Sequence, residues 1–207
     1  MKLLVGMSQV PKYRFSFTAA SLLLNELISF SRMMLEDEIQ LEDLNPEMMH
    51  RQRAKTNKRE FAELFLRLSV LDRPLMEKLV YGTQDDQKQI AIIAFGRTYA
   101  FFKDFVEEVM LEKIALFDFK LEERDYNSFI SKKSIEHEEL DQLADSTKYK
   151  IKQVLIKVLE QGGLIDNINE RNIIIPVVER EIERIIAQKN VEDLKLLLYT
   201  EQKIASI

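Results

Sequence analysis

The chain has 207 residues, 46% of them apolar, a formal net charge of −5 and no cysteine. That length can bury one large core or two small ones. The missing thiols exclude disulfide scaffolds, cysteine nucleophiles and cysteine-based zinc sites, and suit a reducing cytoplasm. Few glycines and prolines beside abundant Leu, Ile, Glu and Lys predict a mainly α protein. The opening MKLLVGMSQVPKYR has too short an apolar run for a secretory leader. The most apolar later stretch, IAIIAFGRTYAFF from Ile90, is broken by Arg97 and falls short of the roughly 20 residues a bilayer span needs. It reads as a buried helix, with no membrane partner. A negative net charge argues mildly against nucleic acid, yet charge is segregated: acidic clusters stand at 36–38, 42–43, 85–86, 107–108 and 136–141, and basic ones elsewhere.

In chain order, AASLLLNELISFSRMML follows YRFSFT and has helical composition, with Ser16 or Thr18 as candidate caps. Asn45-Pro46 marks a turn or helix start. HRQRAKTNKREFAELFLRLSVL then sets a core stripe of Phe61, Leu64, Phe65 and Leu68 behind a basic entry made of Arg51, Arg53, Lys55, Lys58 and Arg59. A helix start prefers negative charge, so cations crowded there point to phosphate contact, against a solvated or internally paired face. A helix over 71–79 and a long buried pattern over 85–117 follow, with Ile90, Ile93, Ala94, Phe101, Phe105, Val109 and Ile114 inward. Composition changes at 117–120, which places a domain boundary at 118. Residues 121–133 begin the second part and pack Tyr126, Phe129 and Ile130.

The stretch 145–176 is the most informative. Asp145 and Ser146 are placed to cap a helix and Gly162-Gly163 to end it. Ile151, Val154, Leu155, Val158 and Leu159 form one apolar stripe, with Lys148, Lys150 and Lys157 along its edges and Tyr149, Lys152, Gln153 and Ile156 turned away. Leu164-Ile165 and Ile173-Ile174-Ile175 then flank a polar loop, which predicts a β-hairpin carrying Arg171 at its turn. Helix, short helix, basic helix and hairpin is the order of a winged helix-turn-helix, whose last helix enters the DNA major groove. Two amphipathic helices, VVEREIERIIAQ and VEDLKLLLYTEQKI, close the chain. A shift of ninety positions lays 56–68 over 146–158 with chemical type kept. This is either chance likeness of two amphipathic helices or a tandem of helix-turn-helix-like units, preceded by short helices at 41–50 and 138–144.

Nucleotide-binding, zinc-protease and serine-hydrolase motifs are missing, and His50 and His137 lack ligand-spaced companions, so the expectation is no enzyme, no metal and no cofactor. His137 reads as a surface or capping residue.

YRFSFTAASLLLNE, RQRAKTNKREFAELFLRLSVL, FGRTYAFFKDFVEEVMLEKI and LADSTKYKIKQVLIKVLEQGGLID, in that order, resemble the BrxA family of BREX bacteriophage-defence systems. The resemblance covers most of the chain and implies a cytoplasmic, non-enzymatic, DNA-binding accessory protein working beside a methyltransferase and other BREX proteins. The expected organisation is 1–118, a helical domain with a basic helix-turn-helix-like unit, and 119–207, a winged-helix-like domain with one short hairpin and two closing helices. The expected partner is double-stranded DNA, read with little sequence preference. Arg51, Arg53, Lys55, Lys58, Arg59, Lys148, Lys150 and Lys157 would meet phosphates, Arg171 would reach a minor groove or a neighbouring phosphate, and Tyr149, Lys152 and Gln153 would approach base edges. Two other readings stay open: a protein-interaction scaffold within the same system, and an RNA-binding helical bundle. The DNA reading rests on those cations being exposed and on the hairpin after Gly163.

Overall fold

Helix Gln84–Thr98 is apolar on every side, since Ile90 to Phe95 are all fully buried, and such a helix must be wrapped by others. Its start is fixed by a reciprocal cap: Thr83 Oγ1 accepts from the Asp86 N–H at 3.3 Å and Asp86 Oδ2 from the Thr83 N–H at 2.8 Å. The structure, a computed structural model, describes residues 11–49 and 54–207, without the side chain of Ala54. In order its helices are α1 (Leu24–Glu36), α2 (Ala54–Leu68), α3 (Arg73–Tyr81), α4 (Gln84–Thr98), α5 (Ala100–Phe105), α6 (Leu111–Ala115), α7 (Glu123–Lys133), α8 (Glu138–Asp141), α9 (Asp145–Gln161), α10 (Arg180–Asn190) and α11 (Glu201–Ile204).

Helices α1, α2 and α3 pack on α4, as does a long 3-10 turn, Val191–Leu197. Two glycines permit close approaches to α4. A Cβ on Gly96 would overlap Leu196, and one on Gly162 would overlap Ile92. Arg97 ties the 3-10 turn down through Asp193 at 2.8 Å and reaches the Val70 carbonyl at 3.0 Å. The chain breaks at Tyr99, whose backbone is extended, and then continues through α5, a π-helical turn at Val106–Met110, and α6. Tyr13, Phe15 and Phe17 of the opening motif insert edge-on against Phe101 and Tyr99, at 5.2–5.3 Å between ring centres. Buried apolar residues from Tyr13 to Tyr199 form one cluster. No helix among the described residues is long and apolar enough to cross a membrane.

The winged helix-turn-helix with a β-hairpin is not formed. The described residues hold no strand, only isolated bridges between Ile165 and Ile173 and between Lys120 and Asn172. The segment after Gly163 divides its pairing between two neighbours. Ile174 N–H reaches the Leu164 carbonyl at 2.9 Å, while Ile173 N–H goes to the Phe119 carbonyl at 2.7 Å and Leu121 N–H to the Arg171 carbonyl at 3.0 Å. Asp166 Oδ1 takes the N–H groups of Asn167 and Asn172, donors that a longer ladder would use. Arg171 turns the chain with φ 58°, and Pro176 brings no donor. Ile174 and Ile175 remain over 40% exposed. The expected helix at 41–50 is two 3-10 turns, Leu41–Asp43 and Pro46–Met49, and that before α9 is the four-residue α8.

Several local expectations also shift. Ala144, not Asp145 or Ser146, is the N-cap of α9 and makes no side-chain cap bond; Asp145 instead stands in the first turn, where its charge suits the helix dipole. The C-terminal end is as expected: Gly163 has φ 75° and Leu164 N–H bonds the Leu159 carbonyl at 2.9 Å. His137 stands at the N-cap of α8 but makes no side-chain cap bond, and it is buried rather than on the surface, its ring stacked on Tyr13 at 3.7 Å with Nδ1 3.1 Å from Glu139. The closing segment is a 3-10 turn plus α11 rather than one amphipathic helix.

Candidate nucleic-acid interface

The outward face of α9 forms one wall of a groove of about 690 Å³, to which Tyr149, Lys150, Lys152, Gln153 and Lys157 all contribute. Periodicity put them there: with Ile151, Val154, Leu155, Val158 and Leu159 facing the core, the polar positions between them face outward, whereas Ile156, expected to turn away as well, is buried in the core. Arg171, Asn169 and Ile168 close one end from the loop after α9. The remaining wall is Thr18, Ala19, Ala20 and Ser21, small residues that leave the basic face open.

This wall is held from behind. Arg67, fully buried on α2, donates to the carbonyls of Ala20 at 3.1 Å, Ser21 at 2.5 Å and Leu22 at 2.9 Å. Its Nε lies 3.3 Å from Tyr99 Oη, and its guanidinium sits 4.6 Å from the centre of the Phe95 ring. Tyr99 Oη donates to Glu63 at 2.5 Å, and Ser16 Oγ donates to the same carboxylate at 3.0 Å. Burial lowers the Arg67 pKa, and Tyr99 and then Glu63 oppose that shift. From α9, Gln161 accepts the Leu22 N–H at 3.0 Å. The segment is therefore clamped between α2 and α9.

The cations differ in how they are engaged. Among the described residues no carboxylate pairs with Lys148, Lys150, Lys55, Lys58 or Arg59, all of which lie on the surface side of their helices. Lys157 pairs with Glu160 of its own helix at 2.5 Å. Lys152 and Arg171 share one acid, Glu123 on α7. Lys152 touches its Oε1, and Arg171 Nη1 is 3.7 Å from its Oε2. Burial lowers the Lys152 pKa, and the charge of Arg171 lowers it further. Arg171 is itself aimed by a bond from Nε to the Ile168 carbonyl at 2.9 Å. Tyr149 is 61% exposed and divides the groove from a hollow lined by Lys148, Tyr126 and Asn127.

The structure thus gathers Tyr149, Lys150, Lys152, Gln153, Lys157 and Arg171 about one groove, with Lys148 on its flank. Lys55, Lys58 and Arg59 stand on the first turns of α2, outside it. Arg51, Arg53 and His50 lie outside the described residues. Sequence reasoning missed Thr18 to Ser21, Arg67 and Glu123. For Arg67 a signal existed: it follows Leu64 by three positions and Glu63 by four, which puts a cation on the core face of α2. Among the described residues no group of three or more His, Asp or Glu could hold a metal ion.

A crystal structure of an uncharacterized protein from Magnetospirillum magneticum shares this fold, with a TM-score of 0.75 over 90% of this chain and 98% of that one at 16% identity. A protein of Bacillus cereus (strain H3081.97) named BREX protein BrxA is 32% identical over 114 residues, 55% of this chain and 57% of the relative. One of Escherichia coli O9:H4 (strain HS) with the same name is 27% identical over 143 residues, 69% of this chain and 67% of the relative. The match thus spans little more than half of the first relative and two thirds of the second. The BrxA family model matches residues 11–190, and the chain belongs to the BrxA family.

Proposed function

We propose that this chain is a non-enzymatic accessory component of a BREX phage-defence system that binds duplex DNA in the cytoplasm, beside other proteins of the system, its methyltransferase included. The hairpin on which the sequence reading leaned is absent, and Lys152, Lys157 and Arg171 each have a carboxylate partner. What supports the DNA reading is the convergence of these three cations and of Lys150, unpaired among the described residues, with Tyr149 and Gln153, on one groove whose other wall is small and uncharged. Lysines spaced along one helix face neutralise successive phosphates, and that attraction is independent of sequence. Tyr149, Lys152 and Gln153 lie at the centre, where base edges would come. Lys148, Lys55, Lys58 and Arg59 extend the contact, the last three from α2, and Arg51 and Arg53 belong to the same proposed set. The division at 118 belongs to the same reading: the part from 119 supplies the basic face and the part before it supplies the opposing wall.

The test is retardation of a random-sequence duplex as salt is raised. With about five phosphates engaged, affinity falls roughly 500-fold between 50 and 200 mM salt. The exposed pair Lys150→Glu and Lys157→Glu is expected to abolish retardation with an unchanged circular dichroism spectrum. A flat salt response, or full binding by that variant, removes the groove from DNA recognition.

A further inference from the structure

At the end of α6 the chain spends backbone strain to display apolar side chains. Phe117 adopts φ 56°, a left-handed conformation that costs a residue with a Cβ about 1 kcal/mol. It is nevertheless 85% exposed, Leu116 beside it 71% and Phe119 41%. The backbone from Leu116 to Asp118 is tied down. Leu116 N–H bonds the Glu112 carbonyl at 3.1 Å, Phe117 N–H the Ile114 carbonyl at 3.0 Å, and Asp118 N–H the Lys113 carbonyl at 2.9 Å. The buried ammonium of Lys113 joins Asp118 at 2.6 Å to Asp125 of α7 at 2.9 Å. Apolar surface held rigidly in water gains nothing for the fold; it marks an interaction surface.

The ridge divides two grooves, of about 860 Å³ on the Phe117 side and about 270 Å³ on the Leu116 side. Their walls are acidic. Glu107, Glu108, Glu112, Asp118, Asp125 and Glu201 line them beside Lys113, Lys132 and Lys195; with Lys103 on Glu107 and Lys133 on Glu108, five lysines answer six carboxylates, and Glu112 has no cation within 4 Å among the described residues. Glu107 Oε1 is buried without a hydrogen-bond partner and forms a long ion pair with Lys103 at 3.8 Å. Burial holds its carboxyl above the usual range. The π-helical turn Val106–Met110 sets Glu107 and Glu108 in this wall, and such turns recur at functional sites.

We infer that the Leu116-Phe117-Phe119 ridge and its acidic grooves dock a partner protein through a helix with one apolar stripe bordered by lysine or arginine. The stripe covers Phe117 and Leu116, and its flanking cations meet the exposed carboxylates of Glu112 and Glu201. Nucleic acid is repelled by the same carboxylates, so this surface works separately from the basic groove.

The probe is a fluorescent synthetic helix with a leucine stripe and lysine flanks, set against its glutamate-flanked counterpart and titrated with the full chain. The lysine form is expected to bind and the glutamate form not to. The double variant Leu116→Ser, Phe117→Ser is expected to weaken binding at least about tenfold, as loss of a central anchor does. Its melting temperature and duplex retardation should stay unchanged. Failure of the lysine helix to bind, equal binding of both helices, or full binding by the double variant overturns the inference. So does a dimer that sediments as such in the wild type and dissociates in the double variant, because a second copy then covers the ridge. None of these results bears on DNA binding by the groove, which is tested by Lys150→Glu and Lys157→Glu.

Discussion

Replacing Arg67 by Met tests how the core and the candidate interface are joined. The guanidinium satisfies three carbonyls, those of Ala20, Ser21 and Leu22, and stands near the buried carboxylate of Glu63 through Tyr99. Met fills a similar volume but supplies no donor, so three carbonyls and one carboxylate lose their compensating charge. Breaking a buried charged network of this kind costs roughly 3–5 kcal/mol. At about 2–4 °C per kcal/mol for a chain of this size, the melting temperature should fall by roughly 10 °C. Arg67→Lys keeps the charge but cannot fork to three acceptors, so it should fall between Met and the wild type. Adding Glu63→Gln to Arg67→Met should cost less than the sum of the single changes, because the stranded carboxylate is removed. Thermal and urea unfolding followed by circular dichroism measure the wild type and the four variants, Glu63→Gln alone included. Below its melting range, Arg67→Met should also bind duplex DNA more weakly, since the wall at 18–21 is no longer held. A melting temperature within about 2 °C of wild type would refute the clamp, because it would show those carbonyls satisfied without Arg67.

Glu123→Gln frees Lys152 and Arg171 from their shared acid; duplex affinity should rise severalfold and the salt dependence steepen, and unchanged binding would mean that neither cation meets phosphate. Gly162→Ala drives a methyl into Ile92, so it should destabilise by about 1–3 kcal/mol in urea unfolding, whereas a neutral result would show α4 and the end of α9 packed less closely. Acid sensitivity should trace partly to Glu108. Burial raises its pKa, but hydrogen bonds from Lys132 and Lys133 bring it below the usual carboxylate value. A depressed carboxylate stabilises above its unfolded pKa of about 4.3 and stops doing so as pH falls through the folded value. Glu108→Gln should therefore flatten the loss of stability below about pH 4 that the wild type shows.

Elements whose pattern depends only on local spacing were readable from the amino-acid order. The stripe of α9 named its buried residues except Ile156, and hence the polar outward set that lines the groove, and Gly163 ended the helix because few other residues accept φ 75°. Two apolar runs around a polar loop also spelled a hairpin, and there local reading failed. Strand pairing is a contest among distant backbone groups, and the Phe119 to Leu121 segment and the Asp166 side chain took those that a ladder needed. The same limit hid the opposite wall, where 18–21 meets α9 only because Arg67 and Gln161 hold it from two helices far along the chain. It also hid the burial of His137 against Tyr13, 124 positions away. Periodicity reveals which face of a helix is wet or dry. What stands across from that face depends on long-range contacts whose chain-entropy cost is met only by the assembled core, and the tertiary structure alone decides it.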